Sequence, residues 1–250
     1  MSVVLVTGGT GTLGRAVVPA LRARGHDVRV LSRRAGSEAG RIVGDLSSGA
    51  GLDRALDDVD LVVHAATANG REDVRQARNL LAAMRPHQHL LAVSIVGIDR
   101  IPLPYYRAKL EVEELIRSSA NPWTLQRSTQ FHDLVARIFA LQRRLPVLLA
   151  PDFAVQPIDV RDVAAQLAAL ASDPPGGRAP DLGGPAVRQF RELADVWRSA
   201  RGSGRRIVPL RLPGKIFAGY RSGAHTVPDR AVGRITFEEF LGTGSGNGGG

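Results

Sequence analysis

The sequence predicts an α/β fold: a doubly wound, mostly parallel sheet with a small C-terminal cap. Three observations predict it. Short apolar runs that end in turn residues alternate with segments of helical periodicity along the chain. The first run, residues 3–6, breaks at once into Thr7-Gly8-Gly9-Thr10-Gly11-Thr12-Leu13-Gly14 and then turns helical, with Leu13, Val17, Val18 and Leu21 at helical spacing. At 250 residues and 44% hydrophobic content, the chain can bury one substantial core, within the range of single-domain α/β proteins. One domain is therefore expected over residues 1–241, with the cap drawn from about 174–241 and a flexible glycine-rich tail at 242–250.

Taken in order, the apolar runs place strands at 3–6, 28–31, 41–43, 60–63, 89–95 and 123–126. Helical periodicity places helices at 12–24, 50–56, 71–85, 104–118, 130–144, 160–172, 188–200 and 213–222. The helix at 104 opens on Pro104, a residue suited to a first turn. The helix at 160 has Asp159 as its cap with Asp162 three residues on, which capping alone explains.

The glycines of the first turn are those of a phosphate-binding loop. Gly8 and Gly11 let the backbone bend and approach a pyrophosphate, Gly14 lets the helix pack on the strand, and the free amides at the helix start face the anion. A strand precedes the loop, a helix follows it, and the next strand comes within one βαβ length, the context of a Rossmann dinucleotide site. In such sheets ligands sit outside the carboxyl ends of the strands. Those exits are residues 7–11, 32–34, 45–46, 65–67, 94–97 and 127–132, so Leu46, Ala65, Ala66 and Thr67 join the loop as cofactor-side candidates.

An NAD-preferring site usually ends its second strand with an acid that holds the adenosine ribose. Here that position reads Ser32-Arg33-Arg34, and Asp27 lies at the wrong end of the strand. Two guanidiniums and a hydroxyl suit a 2′-phosphate, so NADP(H) is the expected cofactor. Asp45 has two readings, contact with the adenine amino group or the start of a turn.

Tyr105 and Lys109 stand four residues apart and share a helix face with Val112 and Ile116, while Arg107, Glu111 and Glu114 fall on the opposite side. Only Lys109 and Lys215 are lysines among 33 basic residues, so a lysine on the inward stripe stands out from a chain that otherwise writes arginine. The glycine loop with Tyr105-x-x-x-Lys109 resembles the short-chain dehydrogenase/reductase superfamily, and Thr7, Gly8, Gly11 and Gly14 are similar to its atypical, NmrA-like branch. The likeness extends to about residue 164. It implies that Tyr105 exchanges a proton with a carbonyl or alcohol oxygen as hydride moves to or from a nicotinamide. It also implies that Lys109 favours the phenolate and holds the nicotinamide ribose, and that Asp45 contacts adenine.

Two positions depart from that pattern. The serine that polarises the substrate is commonly the second of a Ser-Ser pair, whereas this chain reads Ser94-Ile95, and alternation of strand faces leaves Ser94 or Thr67 for the role. After the sixth strand the chain reads Arg127-Ser128 where many relatives read Arg-Pro. Gln130, Phe131 and His132 follow, either lining the substrate pocket or forming the first turn of a helix.

Composition excludes other classes. No cysteine is present, which removes disulfides and thiolate chemistry, and the six histidines show no metal-ligand spacing, so no metal is expected. The net charge of +9 is spread as arginine along the chain, a solvated basic surface rather than a nucleic-acid site. No run has membrane-spanning length and no opening segment resembles a signal or transit peptide, so a cytoplasmic protein without membrane partner is expected. The reading reached is an NADP(H)-dependent oxidoreductase acting on a small molecule. A non-catalytic NADP(H)-sensing regulator of the NmrA-like kind is the alternative. A nucleotide-sugar epimerase or dehydratase stands third, because those chains are usually longer and keep an acid after the second strand.

Overall fold

The computed structural model describes residues 2–37, 39–68 and 70–244. The first half of the chain runs β1 (Val3–Thr7), α1 (Thr12–Ala23), β2 (Asp27–Ser32), β3 (Arg41–Val43), α2 (Leu52–Ala55), β4 (Leu61–His64), α3 (Arg71–Ala83), β5 (His89–Ile95), α4 (Pro104–Arg117) and β6 (Trp123–Ser128). There follow α5 (His132–Ala140), β7 (Val147–Pro151), β8 (Ala154–Val155), α6 (Val160–Leu170), β9 (Gly177–Arg178), β10 (Arg188–Gln189) and α7 (Phe190–Ala200). The last elements are β11 (Arg206–Leu210), α8 (Lys215–Arg221), a short 3-10 turn at Pro228–Arg230, and α9 (Phe237–Gly244).

The main sheet has seven strands in the order β3-β2-β1-β4-β5-β6-β9. β1 lies parallel between β2 and β4, with Val4 opposite Val28 on one side and Leu61 on the other. This order reverses direction at β1, the switch point at which doubly wound sheets open a crevice at their carboxyl ends. Val4, Leu5 and Val6 are fully buried, as a central parallel strand covered on both faces requires.

The chain divides into two compact units. The first comprises Met1–Ser94, Leu103–Arg127 and Val163–Pro180. Its core joins Leu5 and Leu31 of the sheet to Leu52, Leu80, Val112 and Ile116 of the covering helices. The second comprises Ile95–Pro102, Ser128–Asp162 and the chain from Asp181 on. Its core is aromatic: Phe139, Phe190 and Trp197 cluster with Leu148 and Leu193, with Phe139 edge-on to Phe190 at 5.2 Å. Two small sheets complete it, a parallel pair of β7 and β11 and an antiparallel pair of β8 and β10.

The six expected strands and eight expected helices all form, the helices shortened at their ends and β1, β2 and β6 running one or two residues longer than expected. α5 stops at Ala140 rather than 144, and the chain turns there with Leu141 exposed. β7 to β11 and α9 were not expected. Of the residues read as a tail, 242–244 belong to α9, and 245–250 lie outside the described residues.

Candidate functional site

The turn after β1 is built around missing side chains. Gly8 has φ +70°, and a Cβ there would lie 2.6 Å from the Ala66 amide nitrogen, so the loop rests directly on the β4 exit at Ala65 and Ala66. A Cβ on Gly14 would lie 2.2 Å from the Gly8 carbonyl oxygen, and one on Gly9 would strike Val30. The Gly11 amide donates to the Gly8 carbonyl at 2.9 Å and closes the turn. Gly11 is also the N-cap of α1 and supplies no side-chain cap, which leaves the first amides of the helix to an outside acceptor. Thr10, Gly11 and Thr12 are exposed, while Leu13 and Gly14 are buried under them. A cradle closed to a Cβ at Gly8, Gly9 and Gly14 and ending at uncapped helix amides fits the pyrophosphate of a dinucleotide.

At the β2 exit the Ser32 hydroxyl works locally. It donates to the Arg34 carbonyl at 2.9 Å and accepts the Arg34 amide at 3.2 Å, a tight turn that presents Arg33 and Arg34 to solvent. A cavity of about 370 Å³ beside the loop is lined by Gly9, Thr10 and Val30 and by the arginines Arg15, Arg22 and Arg41. Asp45 is half-buried, and its Oδ1 accepts the Ser47 amide at 2.9 Å, so this carboxylate does start a turn. Leu46 points into the hydrophobic core.

Tyr105 and Lys109 occupy the first turns of α4, where the inward stripe continues as Val112 and Ile116 while Arg107, Glu111 and Glu114 are exposed. The Lys109 side chain is buried, its ammonium 5.8 Å from the centre of the Tyr105 ring and 3.1 Å from Asp73 Oδ2. Asp73, in the first turn of α3, also accepts the Thr67 hydroxyl at 2.8 Å on that oxygen and the Ala68 amide on the other. Thr67 in turn lies 3.3 Å from the Tyr105 hydroxyl. One connected group thus runs Lys109, Asp73, Thr67, Tyr105 across α4, α3 and the β4 exit.

Thr7 and His64 are not free. The Thr7 hydroxyl and His64 Nδ1 are 2.8 Å apart at the ends of β1 and β4. Burial, reinforced by the Lys109 ammonium and opposed by Asp73, pulls His64 down to about 4, so its imidazole is neutral at physiological pH. Ser94 shares its strand face with Leu90 and Ala92, which pack in the cluster that holds Ala108 and Val112 of α4. Its buried hydroxyl has no hydrogen-bond partner among the described residues.

In the second unit, Phe131 is the N-cap of α5 and pairs with Ile158. His132 Nε2 lies 2.9 Å from the Ile235 carbonyl, so that nitrogen carries the proton, and the ring sits against Phe237 and Phe240. Burial lowers its basicity. The side-chain amide of Gln130 is buried with neither end hydrogen-bonded among the described residues. Asp159 accepts the Arg161 amide and pairs with its guanidinium, and Asp162 accepts the amides of Arg234 and Ile235, so both are structural ties.

Asp73 and His64 went unread in the sequence. An acid in a helix's first turn is ordinary on helix-dipole grounds, and a histidine closing an apolar strand gives no spacing signal. Only the fold brings them beside Lys109.

The chain was compared with known proteins. A ceramide reductase of Caulobacter vibrioides is 28% identical over 247 residues, covering 87% of this chain and 76% of its own. A chloroplastic divinyl chlorophyllide a 8-vinyl-reductase of Oryza sativa is 30% identical over 206 residues, covering 68% and 51%. Uncharacterized mycobacterial proteins match at 28% over 225 residues, and there the chain spans 24% of their length. Among solved structures, an NADPH-dependent quinone oxidoreductase of Escherichia coli superposes with a TM-score of 0.82 at 19% identity, covering 96% of this chain and 99% of that one. A nucleoside-diphosphate-sugar epimerase of Staphylococcus aureus gives 0.75 at 17% identity, covering 96% and 99%. These neighbours share the fold. The NAD(P)H-binding family profile matches residues 8–174, two thirds of the sequence, and the chain belongs to that family.

Proposed function

We propose that the protein is an NADP(H)-dependent oxidoreductase that reduces a small carbonyl compound, or oxidises the matching alcohol, with Tyr105 as proton donor. The observation that carries this reading is the pairing of Tyr105 and Lys109 one helical turn apart, with the phenol hydrogen-bonded to Thr67 and the ammonium held out of water on Asp73. A bound nicotinamide dinucleotide would supply or take up the hydride. The chain's own part is the proton: Tyr105 gives its hydroxyl proton to the carbonyl oxygen while that oxygen gains charge. Lys109, its ammonium close to the Tyr105 ring, would hold the nicotinamide ribose. The quinone oxidoreductase fold neighbour and the two reductase relatives support a redox reaction over a purely binding role.

Preference for the phosphorylated dinucleotide is supported by the β2 exit, where Arg33 and Arg34 stand in place of an acid and further arginines line the adjoining cavity. The Thr67 hydroxyl lies beside Tyr105 but gives its one proton to Asp73, and that of Ser94 is buried with no partner among the described residues, so Tyr105 is the donor to the substrate oxygen in this reading. The unpartnered Ser94 also favours the second reading, a sensor that binds NADP(H) without turnover.

Titration with NADPH and NADH, followed by absorbance of the reduced cofactor against a panel of quinones and small carbonyls, tests the proposal. Tighter binding of NADPH and turnover that depends on Tyr105 are expected. Equal or tighter NADH binding would contradict the arginine argument, and tight NADPH binding with no turnover on any substrate would favour the sensor.

A further inference from the structure

We propose that Asp73 is a positioning residue for the Tyr105 and Lys109 pair, fixing the ammonium directly and the phenol through Thr67. The inference rests on the reading of Tyr105 as proton donor. Its basis is a count of protons. The Thr67 hydroxyl has one, and it goes to Asp73 Oδ2 at 2.8 Å. At the 3.3 Å contact between Thr67 and Tyr105, the phenol must therefore be the donor and Thr67 the acceptor. The carboxylate consequently holds the resting phenol in place from one residue away, and the phenol O–H turns from Thr67 to the carbonyl oxygen when substrate binds.

The same oxygen accepts Lys109 at 3.1 Å, and the other oxygen is tied to the Ala68 amide, so the carboxylate plane is anchored to the backbone of the β4 exit. Both partners of the ion pair are buried, with side-chain exposures of 9% for Lys109 and 2% for Asp73. Burying such a pair is a weak source of stability, since desolvation offsets most of the attraction. An acid placed only for the dipole of α3 would stay at the surface, as Glu72 does beside it on Arg75. Asp73 instead turns inward onto the residues that carry the chemistry.

The chain's two lysines make the test direct, because exposed Lys215 serves as an internal reference for Lys109. The intact protein is acylated with a limiting amine reagent, and peptide masses give the rate at each lysine. In Asp73→Asn, with a native circular dichroism spectrum, Lys109 is expected to acylate at least about tenfold faster than in wild type, the factor that corresponds to about 1.4 kcal/mol. Lys215 is expected to be unchanged. Should Asp73→Asn fail to fold, the smaller Asp73→Ser gives the same reading.

Thr67→Val is expected to leave Lys109 protected yet to lower kcat about 10- to 100-fold at unchanged KM, and Thr67→Ser to restore it, because misorienting the phenol acts on the chemical step. Unchanged acylation of Lys109 in a folded Asp73 variant would overturn the proposal, as would wild-type kcat in Thr67→Val. Turnover that survives Tyr105→Phe would instead defeat the functional reading and leave the acylation result standing.

Discussion

Gly14 has no room for a single added carbon: its Cβ would sit 2.2 Å from the Gly8 carbonyl oxygen and 2.5 Å from Gly9 Cα, both backbone atoms that cannot swing aside. Gly14→Ala is therefore expected to lower stability by about 1–3 kcal/mol, as overpacking does, and to weaken NADPH binding by distorting the loop. Urea unfolding and a fluorescence titration with NADPH check both, and wild-type affinity in the variant would contradict the cradle. Individual residues were legible in the sequence where they obeyed a spacing rule. The glycines fall at the strand-to-helix turn, and Lys109 lies on the buried stripe of α4 one turn after half-buried Tyr105. Thr67 was visible as a strand-exit hydroxyl. Asp73 and His64 obey no local rule, since their neighbours are 36 and 57 residues away in the pairs Lys109–Asp73 and Thr7–His64.

Among elements, α4 matters most because it carries the reacting pair. It is fastened to β6 by Glu113, whose carboxylate takes two bonds of 2.7 Å from the Arg127 guanidinium and one of 2.6 Å from Arg117. Glu113 and Arg127 are buried at 1% and 3% exposure, so removing the acid leaves a guanidinium without its bidentate partner in a dry site. Glu113→Ala is expected to cost about 3–5 kcal/mol by chemical unfolding. A loss under about 1 kcal/mol would show that the pair is not an anchor.

The same scale explains which elements were readable. β1, β4 and β5 are largely apolar runs, β2 sets Val28, Val30 and Leu31 among polar residues, and α1, α3 and α7 are strongly amphipathic, so pattern alone locates them. β7 and β11 are five residues each, include Pro151 and Pro209, and pair across a separation of 59 residues, as in Val147 with Arg206. No local pattern announces such a partner, and proline argues against a strand anywhere but at an edge. β8, β9 and β10 have two residues each and fall below any window.

At the scale of the whole molecule, buried histidines give stability a pH dependence. Burial lowers His64 in the first unit and His225 in the second, each to about 4 from an ordinary value of 6.5. Between those values the unfolded chain binds more protons than the folded one, so stability is complete above pH 6.5 and is lost as pH falls toward 4. For His64 the loss amounts to about 3 kcal/mol. Urea unfolding at about pH 7.5 and about pH 5 should therefore show a clear drop, and equal stability at the two would contradict neutral buried imidazoles.

In the proposed function, Tyr105 completes a dinucleotide-binding fold into a redox site. The most direct test is the rate at which NADPH absorbance decays with a quinone or small carbonyl, compared between wild type and Tyr105→Phe at matched cofactor occupancy. Turnover is expected in wild type and a fall of about 100-fold or more in the variant, with NADPH affinity unchanged. Turnover undiminished in Tyr105→Phe would contradict that role.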